Sequence, residues 1–299
     1  MKKPLAGVLG PVVTPFDARE ELDVPAFEHN LRAHLQAGLH GVLICGSTGD
    51  AALLSDDERQ HLAVAARRVV PEDRWLLVGT GAESTRQCVA RCRAAGAAGA
   101  DAVLVVSPHY YSNAMTPEVL EAQFRRVADE SPLPVLLYNI PKYAHFRLDP
   151  ELVARLAAHP NIVGMKDSSG DMPGLAQYAA TQNEQFTLLT GHAGTFATAL
   201  RLGARGGILA VALFVPELSL EVWRAHLEGR AADADEAQRR LVPLGAEIVA
   251  RMGVPGVKAA MACVGLRPGH VRQPWLPLGS HDAGSVETLL RDASGVVPA

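Results

Sequence analysis

One lysine in this sequence stands where a buried strand would end. The stretch IVGMKDSSG, Ile162 to Gly170, opens as a core strand and places Lys166 at the point where the apolar run stops. Lysine is scarce, at Lys2, Lys3, Lys142, Lys166 and Lys258, whereas arginine is used freely. A neutral primary amine attacks a ketone to form a Schiff base. The iminium that results withdraws electrons from the neighbouring carbon, so that a carbon–carbon bond can break or form. That chemistry needs the uncharged amine, which an apolar barrel favours by desolvating the ammonium form. The bland alternative is a lysine whose stem lies along the strand end and whose head stays in water or in a structural ion pair. Strand alternation turns Asp167 to the opposite face, away from the amine.

The residues just past the other apolar runs weigh against the bland reading. PVLLY ends on Tyr138, whose phenol could pass protons to and from a departing carbonyl oxygen beside the amine. GVLIC leads into Gly46-Ser47-Thr48-Gly49-Asp50, where two hydroxyls and backbone N–H groups suit a substrate carboxylate. The GK[ST] that would complete a phosphate loop is missing from that turn. AVLVV is followed by His109, Tyr110 and Tyr111, and FTLLT by Gly191 and His192. Either histidine could hydrogen-bond a substrate hydroxyl. No HxH or HExxH spacing occurs, so no metal site is expected. Cys88 and Cys92 share a helical face without a nearby histidine and read as core packing, as does Cys45.

These residues need elements that bring them to one place. AGLHGVLICGS (Ala37 to Ser47), AGADAVLVVSP (Ala98 to Pro108) and LGARGGILAV (Leu202 to Val211) each close a helix with glycine and begin a Val/Ile/Leu run three residues later. Further runs at LAGVLGPVV, WLLVGTG, PVLLYN, IVGMK and FTLLTG bring the number to eight, spaced by about 25 to 30 residues as far as Val211. Helix starts lie between them. Ser55 with Glu58 makes a capping box, while Thr116-Pro117-Glu118 and Asp149-Pro150-Glu151 set a cap residue ahead of a first-turn proline. Eight strands alternating with helices predict an α/β fold, a (β/α)8 TIM barrel over residues 1–215. Residues 216–299 predict a helical region packed on the barrel or against another subunit. The final RDASGVVPA is expected to be loosely ordered. In such barrels the strand C-termini carry the chemistry, so the hydroxyls, phenols and amine would ring one opening.

Bulk composition narrows the function classes. The chain of 299 residues carries a formal net charge of −4 and no block of five basic residues, which gives no reason to expect nucleic acid or a membrane surface as partner. No run of 18 apolar residues occurs, and Pro4 and Pro11 break the N-terminal run, which reads as a first strand rather than a secretion signal. Four cysteines without a CxxC pair favour a reducing cytoplasm. A small-molecule enzyme is the expectation. A pyridoxal phosphate barrel would also use a strand-end lysine. Its phosphate would need GARGG (Gly203 to Gly207), which more simply caps a helix.

The ordered set GVLGPVVTPF, GSTGD, SPHYY, YNIP, GMKDSSGD and GVPGVKAAM resembles the dihydrodipicolinate synthase and N-acetylneuraminate lyase family along nearly the whole chain. The resemblance implies Lys166 as the Schiff-base residue, Tyr138 as the proton shuttle, and Ser47 with Thr48 as ligands of a 2-oxo-acid carboxylate. Gly191 and Ile208 correspond to pocket positions. It further implies that Tyr111 enters a neighbouring subunit's site to complete a proton relay with Thr48, hence a homodimer and commonly a homotetramer. No cofactor is implied beyond the covalent lysine imine with a small 2-oxo acid. Where the lysine-biosynthesis synthases carry an arginine for the second substrate, this chain has Tyr143, in a loop with Lys142, His145 and Arg147. HPNIVGMKDSSGD and GVPGVK look closest to 4-hydroxy-2-oxoglutarate aldolases, and 2-keto-3-deoxy sugar acid aldolases also lack that arginine. An aldolase or lyase reaction that cleaves or forms the carbon–carbon bond beside a pyruvate unit is therefore the expectation, with condensation of pyruvate with aspartate semialdehyde as the alternative and a non-catalytic 2-oxo-acid sensor behind both.

Overall fold

The computed structural model describes residues 3–294 of the protein. Eight parallel strands close into a barrel in chain order: β1 (Gly7–Pro11), β2 (Gly41–Ile44), β3 (Trp75–Gly79), β4 (Ala102–Val106), β5 (Val135–Asn139), β6 (Ile162–Asp167), β7 (Thr187–Thr190) and β8 (Gly206–Ile208). A helix follows each strand: α1 (Val24–Gln36), α2 (Asp56–Val69), α3 (Thr85–Ala97), α4 (Pro117–Glu130), α5 (Pro150–Ala157), α6 (Met172–Ala179), α7 (Phe196–Arg201) and α8 (Pro216–Leu227). The barrel expected from the alternating runs is the one observed.

Local chemistry explains the boundaries. The Ser55 hydroxyl accepts from the Glu58 amide and the Glu58 carboxylate accepts from the Ser55 amide, closing the capping box of α2. Thr116 and Asp149 cap α4 and α5 ahead of their prolines. Gly38, Gly99 and Gly203 lie at φ +98°, +85° and +108°, so each helix-to-strand turn uses a conformation that an L side chain resists.

Strand alternation divides the core in two. Leu9, Leu43, Leu77, Leu104, Leu136, Leu189 and Ile208 fill the barrel, whereas Val8, Val42, Val78, Val103, Val135 and Leu188 pack outward under the helices.

Beyond α8 the chain continues through α9 (Ala231–Pro243), a widened π-helical stretch at Leu244–Arg251, α10 (Gly253–Cys263) and α11 (Ser280–Ser294). Pro243 ends the regular part of α9, since proline can neither donate its backbone bond nor fit the preceding turn. Of RDASGVVPA, Arg291–Ser294 continues α11 instead of being loose, and residues 295–299 lie outside the described residues. Among the described residues, no helix is long and apolar enough to cross a membrane.

Candidate active site

Lys166 ends inside the barrel because of an irregularity in β6. Val135 pairs with Ile162, but the next residue, Leu136, pairs with Gly164, so Val163 is an extra residue in the strand. Ile162 faces the helices and Val163 the barrel interior. Unbroken alternation from there would turn Met165 inward and Lys166 out. The bulge reverses that order: Met165 joins the outer core and Lys166 falls level with the inward-facing Tyr138.

Lys166 is 4% exposed, and its amine donates to the Tyr138 hydroxyl at 3.3 Å, with Nζ 4.5 Å from the centre of the phenol ring. The same hydroxyl lies 3.4 Å from Ser47 Oγ. Amine, phenol and alcohol thus form one line across the barrel mouth. Asp167 points the other way, as alternation requires, and accepts hydrogen bonds from Asn139 Nδ2 (2.6 Å) and Ser169 Oγ (2.8 Å). Burial pushes its carboxyl up, against the pull of those donors.

A cavity of about 470 Å³ opens above this line. Ser47, Thr48, Tyr138, Tyr143, Lys166, Gly191, His192 and Ile208, all singled out in the sequence, lie on its wall. Tyr111 does not. It projects from the loop after β4, 69% exposed, with its ring edge-on to that of Tyr110 at 5.0 Å. His109 is also away from the cavity and sits against Glu83, 3.2 Å from Nδ1 to Oε1. His192 is in place on the wall. Its Nδ1 is 3.0 Å from Thr195 Oγ1, and burial lowers its pKa, favouring the neutral ring. In the loop after β5, Lys142 Nζ donates to the Ala250 carbonyl at 2.8 Å, and Arg147 is held by Asp171 at 2.7 Å.

One wall of the cavity, and the steric reason for a glycine already singled out, went unread in the sequence. The outer wall of the cavity comes from the C-terminal region: Val242, Ala246, Val249 and Ala250, then Val254 and Val257 of α10. Their spacing of three and four residues signals a helical apolar face but does not say what it covers. Gly191 is closely enclosed by its neighbours: a Cβ there would crowd Lys166 Cε and Ser168 Oγ, so that those side chains would have to shift.

A buried amine beside a phenol at the strand ends of a parallel barrel defines the class, a Schiff-base-forming lyase. The chain belongs to the dihydrodipicolinate synthetase family, whose model matches residues 4–293. A 4-hydroxy-tetrahydrodipicolinate synthase of Methanoculleus marisnigri is 35% identical over 286 residues, 95% of this chain and 96% of that one. A DapA-like lyase of Halobacterium salinarum is 36% identical over 288 residues, with 96% and 94% covered. Among solved structures, YagE, a prophage protein of the dihydrodipicolinic acid synthase family from E. coli K12 in complex with pyruvate, superposes with a TM-score of 0.92. It is 30% identical, and the match covers 97% of this chain and 98% of that one.

Proposed function

We propose that Lys166 condenses with the keto group of pyruvate or a longer 2-oxo acid and that the enzyme makes or breaks the carbon–carbon bond beside that pyruvate unit. The single observation behind this is the buried Lys166 amine, 3.3 Å from the Tyr138 hydroxyl, with its sequence neighbour Asp167 turned away. The amine adds to C2, Tyr138 relays one of the amine's protons to the carbonyl oxygen and then gives its own, and that oxygen leaves as water with the iminium formed. Ser47 and Thr48 hold the substrate carboxylate. In cleavage the bond between C3 and C4 breaks, its electrons pass to the iminium as an enamine, and the C4 hydroxyl proton returns to Tyr138 as the aldehyde departs. The chemistry uses the lysine itself and calls on no separate cofactor.

The second substrate divides two readings. Aldol cleavage of 4-hydroxy-2-oxoglutarate or a 2-keto-3-deoxy sugar acid is favoured by Tyr143, which occupies the place of the synthases' arginine, and by a cavity wall whose described residues include no arginine. The names of the relatives speak instead for the other reading, condensation of pyruvate with aspartate semialdehyde, at 32–36% identity. Treatment with pyruvate and borohydride should leave a reduced adduct on Lys166, absent in Lys166→Ala, and Tyr138→Phe should slow turnover about 10²-fold. No adduct with any 2-oxo acid would sink the reading. Pyruvate release from the two hydroxy-oxo-acid classes, run beside pyruvate plus aspartate semialdehyde, separates the second substrates.

A further inference from the structure

Behind the Ser47–Thr48 turn lies an ion pair that the Schiff-base steps do not use. The side chains of Asp50 and Lys258 are 0% and 4% exposed, and Nζ lies 3.7 Å from Oδ2. Asp50 follows the turn in a left-handed conformation, φ 56°, while Lys258 belongs to α10. Neither Asp50 oxygen has a partner in good hydrogen-bonding geometry among the described residues, so its charge is offset mainly by the attraction of Lys258, with the Trp275 indole and Arg272 nearby. Lys258 is more fully engaged. It donates to the Thr14 carbonyl at 2.7 Å and the His270 carbonyl at 2.6 Å, and lies 4.8 Å from the centre of the Phe16 ring. The Thr14 hydroxyl donates in turn to the Gly49 carbonyl at 2.8 Å. A relay of hydrogen bonds therefore runs from α10 through Thr14 into the turn that carries Ser47 and Thr48.

We propose that Lys258 and Asp50 are positioning residues for the 2-oxo-acid carboxylate: the ammonium fixes the turn through Thr14 and offsets the Asp50 charge beside a substrate that is itself an anion. The inference rests on the Schiff-base reading above. The field of Asp50 reaches the cavity, because it helps raise the pKa of Tyr143 on the wall. The other groups facing the pair are Arg272 and the Trp275 indole from the C-terminal segment, and Arg272 is itself bound to Glu58 of α2. Burial pushes Asp50 up to about 6 and Lys258 down to about 8. Between those values both are charged and the pair is neutral. Above them Lys258 sheds one proton and keeps two N–H bonds for Thr14 and His270. The turn stays tied while Asp50 becomes an uncompensated anion, which weakens the binding of a carboxylate.

Borohydride trapping by the full-length enzyme, titrated with pyruvate from about pH 7 to 9.5, reads this without the second substrate. Half-saturating pyruvate in the wild type should rise about fivefold or more across that range. Asp50→Asn removes the anion, leaves the two carbonyl bonds of Lys258 in place and should abolish the rise; a merely structural role would not move this profile. Lys258→Met should need about tenfold more pyruvate already at pH 7. If it does not fold, Asp50→Asn decides alone. A flat wild-type titration, or a rise that Asp50→Asn retains, overturns the inference. Absence of any wild-type adduct overturns the Schiff-base reading instead.

Discussion

At the scale of single residues, the site depends on how little space surrounds the amine. Gly191 is the sharpest case, because a methyl group there would overlap Lys166 Cε and Ser168 Oγ. Both belong to the cavity wall on the β6 side, and Gly191 faces them from the end of the adjoining β7. Gly191→Ala should fold, with an unchanged circular dichroism spectrum, yet trap pyruvate at least about tenfold less efficiently, since the lysine must leave its place beside Tyr138. Normal trapping would show that the amine has room to spare. Lys166, Tyr138, Ser47 and Thr48 were legible from residue type and position after an apolar run. The need for Gly191 is a matter of contact distance, which no residue type announces.

The elements do two jobs for the site: strands set the register of its groups and helix caps hold the turns behind them. Helix α2 illustrates the second. Its Arg59 donates to the carbonyls of Gly79 and Ala51, and so ties the loop after β2 to the end of β3. The capping box that starts this helix was readable as Ser55 and Glu58 three residues apart. Ser55→Ala should lower stability by about 1 kcal/mol in urea denaturation while leaving pyruvate trapping intact. A loss of trapping without a loss of stability would place the helix start in the chemistry. The bulge at Val163 was not readable, because one extra residue lengthens a buried run by no more than strands of this barrel vary among themselves. It nevertheless decides which way Lys166 faces.

For the whole molecule, burial of titratable groups shapes the response to acid. His34 of α1 is enclosed, its Nε2 has no hydrogen-bond partner, and desolvation lowers its pKa from 6.5 to about 4. Between those values His34 makes the unfolded chain bind the extra proton, so this residue contributes a loss of stability as pH drops from 6.5 towards 4, while Asp50, raised to about 6, contributes a gain. For His34 the full difference is on the order of 3 kcal/mol. His40 and His192 are lowered by burial in the same sense. Thermal melts of wild type and His34→Leu compared across this range should diverge as pH falls, the wild type losing more stability; equal slopes in the two would remove this role from His34. The exposed Tyr110–Tyr111 pair belongs to the same scale. We infer that Tyr111 completes a partner copy's site, so sedimentation should report a dimer or larger, and Tyr111→Ala should cut turnover while sparing the adduct. A fully active monomer would exclude that role.

Sequence alone determined the eight-strand barrel, because buried parallel strands, glycine-closed helices and capped helix starts are each written in consecutive residues. It also determined which side chains could ring the barrel mouth. Tertiary structure decided three further things: that Lys166 faces inward past a bulge, that the C-terminal helices wall the cavity, and that Asp50 meets Lys258. Each brings together groups distant in the chain or depends on a one-residue shift in register. Such facts are set by packing and strand pairing, which local pattern does not encode.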